Sequence, residues 1–165
     1  NEVYDPATNT WEPRQTMPTA RNHAAVGVVN NKIYVIGGRV GAGFITRGFS
    51  VDIVEEYDPA TDQWGALMAR LPTPRSAVAF GTSKGKIYVA GGEIYTDRML
   101  GAYRAVEAFD PVANVWTTLP PMQFPRHGLA GDFIGNRLHL VSGNVQAASS
   151  GGHVDVDHHH ALELP

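Results

Sequence analysis

Ile33-Tyr34-Val35, closed by Gly37-Gly38, returns as Ile87-Tyr88-Val89 closed by Gly91-Gly92, and again as Leu138-His139-Leu140 closed by Ser142-Gly143. An arginine stands ahead of each copy, at Arg21, Arg75 and Arg126, and this arginine series advances by 54 and then 51 residues. A second series keeps the same pace: Tyr4-Asp5-Pro6, Tyr57-Asp58-Pro59 and Phe109-Asp110-Pro111, each followed by a tryptophan, at Trp11, Trp64 and Trp116. Landmarks of such different chemistry holding one period near 50 residues are the signature of a propeller or a solenoid.

Each copy reads as a four-stranded meander. The first strand is the apolar run after the arginine (His23 to Val29, Ser76 to Phe80, His127 to Phe133), and the second is the Ile-Tyr-Val segment beyond a polar turn. Asn30-Asn31, Ser83-Lys84-Gly85 and Gly135-Asn136 supply the residues that tolerate positive φ in those tight turns. The third strand is Val54 to Tyr57 or Val106 to Phe109, stopped by Asp-Pro because proline removes a ladder donor. The tryptophan opens the fourth strand, where its indole is expected to pack between neighbouring sheets. No window shows a helical period.

These residues resemble the kelch repeat: a Gly-Gly pair after Ile-Tyr-Val, a Tyr-Asp-Pro downstream and a tryptophan shortly after. The resemblance implies an all-β, kelch-type β-propeller of four-stranded antiparallel blades, sharing the propeller fold of galactose-oxidase-like proteins. About three blades are present, a partial ring. Residues 1–16 read as the third and fourth strands of a preceding blade, 17–70 and 71–122 as complete blades, and 123–165 as an atypical or incomplete blade, with its third strand expected at His153 to His160. In that last copy His139 replaces the tyrosine, Ser142 replaces the first glycine, and no Asp-Pro or tryptophan follows. Propellers close with roughly four to eight blades. The chain, which has no initiator methionine, therefore reads as part of a longer protein, or as one half of a homodimer that completes a six-bladed ring.

Composition narrows the function. With 13 basic against 16 acidic side chains the net charge is −3, which gives nucleic acid no electrostatic hold. No apolar run approaches the roughly 20 residues needed to span a bilayer. The absence of cysteine removes disulfides, thiolate metal sites and the crosslinked tyrosine of galactose-oxidase-like copper enzymes. No G-x-S-x-G, H-E-x-x-H or phosphate-loop motif occurs, so no catalytic residue and no cofactor is assigned. In the tail, His153, Asp155, Asp157 and His159 would share one face of an extended strand, but neighbours on one flat strand rarely converge on one ion, and no metal site is assigned there.

Meander connectivity sorts the charges. The loops from strand two to three, and from strand four into the next blade, emerge on one side and carry Arg14, Arg21, Arg39, Arg47, Arg70, Arg75, Arg98, Arg104 and Arg126. The opposite turns carry Lys32, Lys84, Lys86 and Arg137 with Asp5, Asp58, Asp62 and Asp110. Guanidinium forks suit carboxylate or phosphate groups, so an anionic partner is expected, either a protein or a small-molecule or sugar ligand. The candidate ligand-binding residues are Arg21, His23, Arg39, Arg47, Arg75, Arg98, Arg104, Arg126 and His127. Among them Arg21, Arg75 and Arg126 recur once per blade, as residues that tie loops to the neighbouring backbone do. The reading is a non-catalytic interaction module. Two alternatives stand beside it: a sugar-acid isomerase of the sialic-acid mutarotase type, with Glu93 or His23 as its first acid/base candidates, and a carbohydrate-binding or structural domain of a larger extracellular protein.

Overall fold

A computed structural model describes residues 1–41, 48–147 and 154–164, and every regular element among them is a strand. The chain enters as a hairpin, β1 (Glu2–Asp5) and β2 (Thr10–Pro13). Blade 1 follows, built from β3 (Ala25–Val29), β4 (Lys32–Ile36), β7 (Val54–Asp58) and β8 (Gln63–Trp64), side by side in chain order. Between its second and third strands, β5 (Arg39–Val40) pairs with β6 (Phe49–Ser50) as a short ribbon. Blade 2 repeats the plan with β9 (Ala79–Ser83), β10 (Lys86–Ala90), β13 (Val106–Asp110) and β14 (Val115–Leu119), and its ribbon is β11 (Glu93–Tyr95) with β12 (Leu100–Ala102). Blade 3 has β15 (Ala130–Ile134), β16 (Arg137–Val141) and β17 (His159–Glu163). All pairings are antiparallel, and β9 lies between β3 and β15, so the blades form an arc with their first strands innermost.

The hydrophobic core lies between blades. Ala25, Val29, Tyr34, Ile36 and Val54 of blade 1 close against Leu71, Val78, Ile87, Val89 and Phe109. The other face of blade 2, with Tyr88, Ala90 and Val106, closes against Met122, Leu129, Leu138 and Leu140. Strand alternation makes this possible, because odd and even positions serve opposite interfaces. Where the inner strands approach, only glycine fits: a Cβ on Gly27 would stand 2.6 Å from Ile87, and one on Gly131 2.8 Å from Ala79.

The glycine pairs are joints. Gly38 donates its N–H to the Arg75 carbonyl (3.0 Å), and Gly92 does the same to the Arg126 carbonyl (2.8 Å). Both lie at positive φ. A second set of bonds runs from Ala77 N–H to the His23 carbonyl and from Gly128 N–H to the Ala77 carbonyl. Backbone hydrogen bonds thus tie blade 1 to blade 2 and blade 2 to blade 3 near the axis.

The Asp-Pro turns and the tryptophans form the outer rim. Asp5, Asp58 and Asp110 each accept from the backbone N–H two residues on, at 2.8, 2.9 and 3.1 Å, which sets the turn between third and fourth strands. Trp116 stacks on Phe109 and Trp64 lies tilted against Tyr57, each pair within its own blade with ring centroids 5.0 Å apart. Their indole N–H groups donate to the exit segment of the preceding blade, at Gln15 and Ala69. These two tryptophans therefore bridge neighbouring sheets at the rim, half-buried rather than enclosed, whereas Trp11 is 65% exposed. Trp116 also packs on the core between blades 1 and 2. Trp116→Ala is expected to cost about 3 kcal/mol, the lower end for a buried indole, and Trp11→Ala well under half of that; urea unfolding of the two variants checks the ranking.

Blade 3 corrects one expectation from sequence. Its third strand is His159–Glu163, not the segment His153 to His160. His153 itself lies outside the described residues. The observed register sets Leu162 opposite Leu138 and His160 opposite Leu140. That choice turns Leu162 and Leu164 onto the apolar interface with blade 2, a gain the polar His/Asp stretch cannot match.

Candidate functional site

Two positions per repeat line the loop-bearing end near the axis. One is the residue after the repeated arginine (Asn22, Ser76, His127), and the other follows the glycine pair or its equivalent (Arg39, Glu93, Asn144). Within each blade they are bridged antiparallel: Asn22 with Arg39, Ser76 with Glu93, His127 with Asn144. Repeat geometry fixes where these residues stand, while their chemistry differs from blade to blade.

The result is a polar cluster spanning three blades. Glu93 sits at its centre, only 2% exposed. Its carboxylate faces the Arg39 guanidinium of blade 1 at 3.7 Å and His127 Nδ1 of blade 3 at 3.8 Å. The other ring nitrogen of His127 donates to the Gln146 carbonyl at 2.5 Å, which fixes the ring. Arg39 also lies over the Tyr95 ring, 5.8 Å from its centroid. Ser50, on the ribbon of blade 1, donates to the Glu93 carbonyl (3.3 Å) and accepts from Tyr95 N–H (3.1 Å), so the two ribbons dock on one another. Asn144 donates to Asp155 at 3.1 Å. The inner strands of the three blades also shape an open groove of about 330 Å³, lined by Val26, Val28, Phe80, Thr82 and Asp132 and by none of the cluster residues.

The candidates named from sequence fall into three groups. Arg39 and His127 meet through Glu93. Arg98 and Arg104 are exposed on and after the β11–β12 ribbon, with Asp97 beside Arg98 at its tip. His23 is exposed at φ 55°, with Nδ1 2.8 Å from Asn22 Oδ1. Arg47 lies outside the described residues. The three repeated arginines run into the blades instead. Arg21 bonds Glu55 and the Val35 carbonyl. Arg75 bonds Glu107 at 2.6 Å and the Val89 carbonyl at 3.2 Å, and burial pulls its pKa below the usual value against the opposing pull of Glu107. Arg126 is equally enclosed, but its repeat partner has changed: His160 stands where the glutamates stand. Arg126 there bonds the carbonyls of Ser142 and His158 (2.8 and 3.0 Å) and lies over Phe124 at 5.3 Å. Phe124 occupies the place of Thr19, which in blade 1 bonds Glu55. Both members of the carboxylate network are thus exchanged together.

His160 carries a pH consequence. Burial first, then the charges of His158, Arg126 and His159, lower its pKa. A histidine held neutral by the fold leaves stability intact above its unfolded value of about 6.5, and stability falls as pH drops through and below that value because the unfolded chain takes up the proton more readily. The melting temperature is therefore expected to fall between pH 7.5 and pH 5.5, and His160→Leu to flatten that decline; scanning calorimetry of both chains at the two pH values is the check.

Sequence reasoning under-used Glu93 and missed Ser50, Ser76, Tyr95 and Asn144. The available signal was a repeat-fixed place, directly after the glycine pair, occupied by residues of unlike chemistry.

Blades of this plan, joined through paired glycines around a common axis, define a β-propeller. The kelch motif matches residues 20–64 and 74–123, more than half of the chain, and the chain belongs to the kelch-motif family. It is 36% identical over 121 residues to beta-scruin of Limulus polyphemus, and 32% identical over 147 residues to the kelch-like protein terF of Aspergillus terreus. It is also 30% identical over 155 residues to the F-box/kelch-repeat protein At1g16250 of Arabidopsis thaliana. These alignments cover 70%, 86% and 87% of this chain but only 12%, 32% and 39% of those proteins. Among solved structures, YjhT superposes with a TM-score of 0.76 over 93% of this chain and 55% of its own, at 18% identity, which supports the fold alone. No helix among the described residues is long and apolar enough to cross a membrane.

Proposed function

We propose that the chain is a non-catalytic binding module whose loop-bearing end takes an acidic protein segment. One observation carries this reading: Glu93, the carboxylate at the centre of the cluster, is hidden while Arg39, Arg98 and Arg104 are presented, the exposed acids Asp97 and Asp155 standing at the ribbon tip and on blade 3. The Glu93 side chain is 3% exposed against 25% for Arg39, and Arg98 and Arg104 stand in solvent. Asp52, the nearby acid of blade 1, is tied to Arg70 at 2.6 Å. Membership of a repeat family whose loops vary on a constant frame supports an interaction role. The fixed contacts of Arg21 and Arg75 leave recognition to Arg39, Arg98 and Arg104.

Arg98→Ala combined with Arg104→Ala is expected to weaken binding of a glutamate-rich peptide about tenfold or more at low salt, while the melting temperature stays nearly constant because exposed charges add little stability. Fluorescence anisotropy at two salt concentrations with a parallel melt is the measurement; unchanged affinity in the double variant would overturn the reading. The isomerase alternative draws on the Glu93–His127 approach. Anomer-exchange NMR on a sialic acid tests it: a rate that rises with protein and collapses in Glu93→Gln would favour it over the binding role.

A further inference from the structure

We propose that His139 and His159 form a two-histidine binding site for a divalent copper or nickel ion, on the face of blade 3 turned away from blade 2. In the first two blades the equivalent of His139 is a tyrosine whose ring meets an aromatic residue of the following blade: Tyr34 with Phe109 at 6.2 Å, Tyr88 with Phe133 at 5.0 Å. At this place blade 3 carries an imidazole instead, and its neighbour is a second imidazole. The register of β16 and β17 pairs Val141 with His159 and His139 with Ala161, so the two histidines are diagonal neighbours on one sheet face. Nδ1 of His139 lies 2.8 Å from Nε2 of His159, with the ring planes 33° apart.

That separation lets both rings reach one shared ion. Two imidazole nitrogens about 2.0 Å from one ion stand about 2.8 Å apart in adjacent corners of a square plane, and about 3.3 Å apart at the corners of a tetrahedron, so either is reached from the present spacing by a small shift of one ring. A pair of neutral imidazoles without thiolate suits copper(II) and nickel(II), which bind nitrogen donors tightly. Without metal the same spacing is an N–H···N hydrogen bond. On binding, the ring that supplied that proton shifts it to its other nitrogen, so both lone pairs face the ion and no net proton is released. The pair supplies two ligands, and no group of three or more metal-ligating side chains converges among the described residues, so the other positions are open to water or to a further donor.

The neighbouring histidines are committed elsewhere. His158 lies against Phe124, ring centroids 4.9 Å apart, and the Nδ1 of His160 is buried on the opposite face of the strand from His159. The site is therefore a cross-strand clip that fastens β17 to β16, not chelation by the consecutive run His158-His159-His160.

The test is Cu2+ titration of the 165-residue chain in a non-coordinating buffer, read by electron paramagnetic resonance and by the shift in melting temperature. Wild type is expected to show a spectrum with two nitrogen ligands and a rise in melting temperature with metal. His139→Tyr, which restores the residue of the other two blades and so preserves the fold, is expected to lose about 10- to 100-fold in affinity along with the thermal shift. His159→Ala should behave alike, and His153→Ala and His158→Ala should bind as wild type. Unaltered binding in His139→Tyr, or loss in His158→Ala equal to that in His159→Ala, would assign the metal to the tail run and overturn the proposal; so would the absence of binding by wild type.

Discussion

Arg75→Ala is expected to be among the most damaging single changes in the chain, at about 3 to 5 kcal/mol. Its guanidinium and the carboxylate of Glu107 have 0% and 4% exposed side chains and meet at 2.6 Å. Removing the arginine leaves a buried carboxylate without its counter-charge, and that desolvation penalty, rather than the worth of the pair itself, sets the size of the loss. A double change tests this cause. Arg75→Met with Glu107→Leu removes both charges and restores apolar packing, so it should recover most of what Arg75→Ala loses. Denaturant midpoints for the single and double variants measure it; a double variant no better than the single one would mean that the carbonyl contacts to Thr73 and Val89, not the stranded acid, carry the cost.

Gly91→Ala is expected to yield little folded protein. The residue lies at φ 64°, and a Cβ there would stand 2.4 Å from the Arg126 carbonyl and 2.8 Å from the end of Met122. Positive φ alone costs an L-residue about 1 to 2 kcal/mol. The molecule contains its own control, because blade 3 carries Ser142 at the same repeat position with φ 58°. The conformation is therefore tolerated by a side chain, and what forbids one at Gly91 is the carbonyl of the next blade, which cannot yield without breaking the Gly92–Arg126 joint. Gly85→Ala, at φ 72° with open space around it, should cost only the conformational penalty. Soluble yield and thermal melts of the two variants separate strain from overlap.

Much of the frame was legible because repetition amplifies weak signals. Ile33-Tyr34-Val35 alone is an ambiguous apolar run, but three copies in register with glycine pairs and Asp-Pro turns leave few architectures open. The recurrence of Arg21, Arg75 and Arg126 pointed to a role in the frame, yet which acids they meet depends on cross-strand register: Val35 opposite Glu55, Val89 opposite Glu107. The ribbons β5–β6 and β11–β12 escaped notice because two or three residues show no alternation. The third strand of blade 3 was misplaced for a related reason. The histidines and aspartates drew attention to 153–160, while the deciding signal was the modest pair Leu162 and Leu164, whose partners lie in another blade. At the site, Arg39 and His127 were singled out separately. That Glu93 joins them is a property of three blades meeting, which no local window contains.

The position of the core between sheets has a consequence for rearranging such a chain. Blade 2 must satisfy two unlike neighbours, offering Ile87 and Phe109 to one and Tyr88 and Ala90 to the other. A repeat is thus defined by its borders rather than by its interior, and the unit that is handed down intact is the contact between successive repeats. Duplicating, deleting or transposing a blade creates a junction whose two halves were never fitted: a copy of blade 1 set after blade 2 would bring Val26 and Val28 against Tyr88. Recombination within the coding sequence is accordingly expected to succeed at breakpoints inside a blade, where both old junctions travel whole, more often than at the loops that seem to separate one blade from the next.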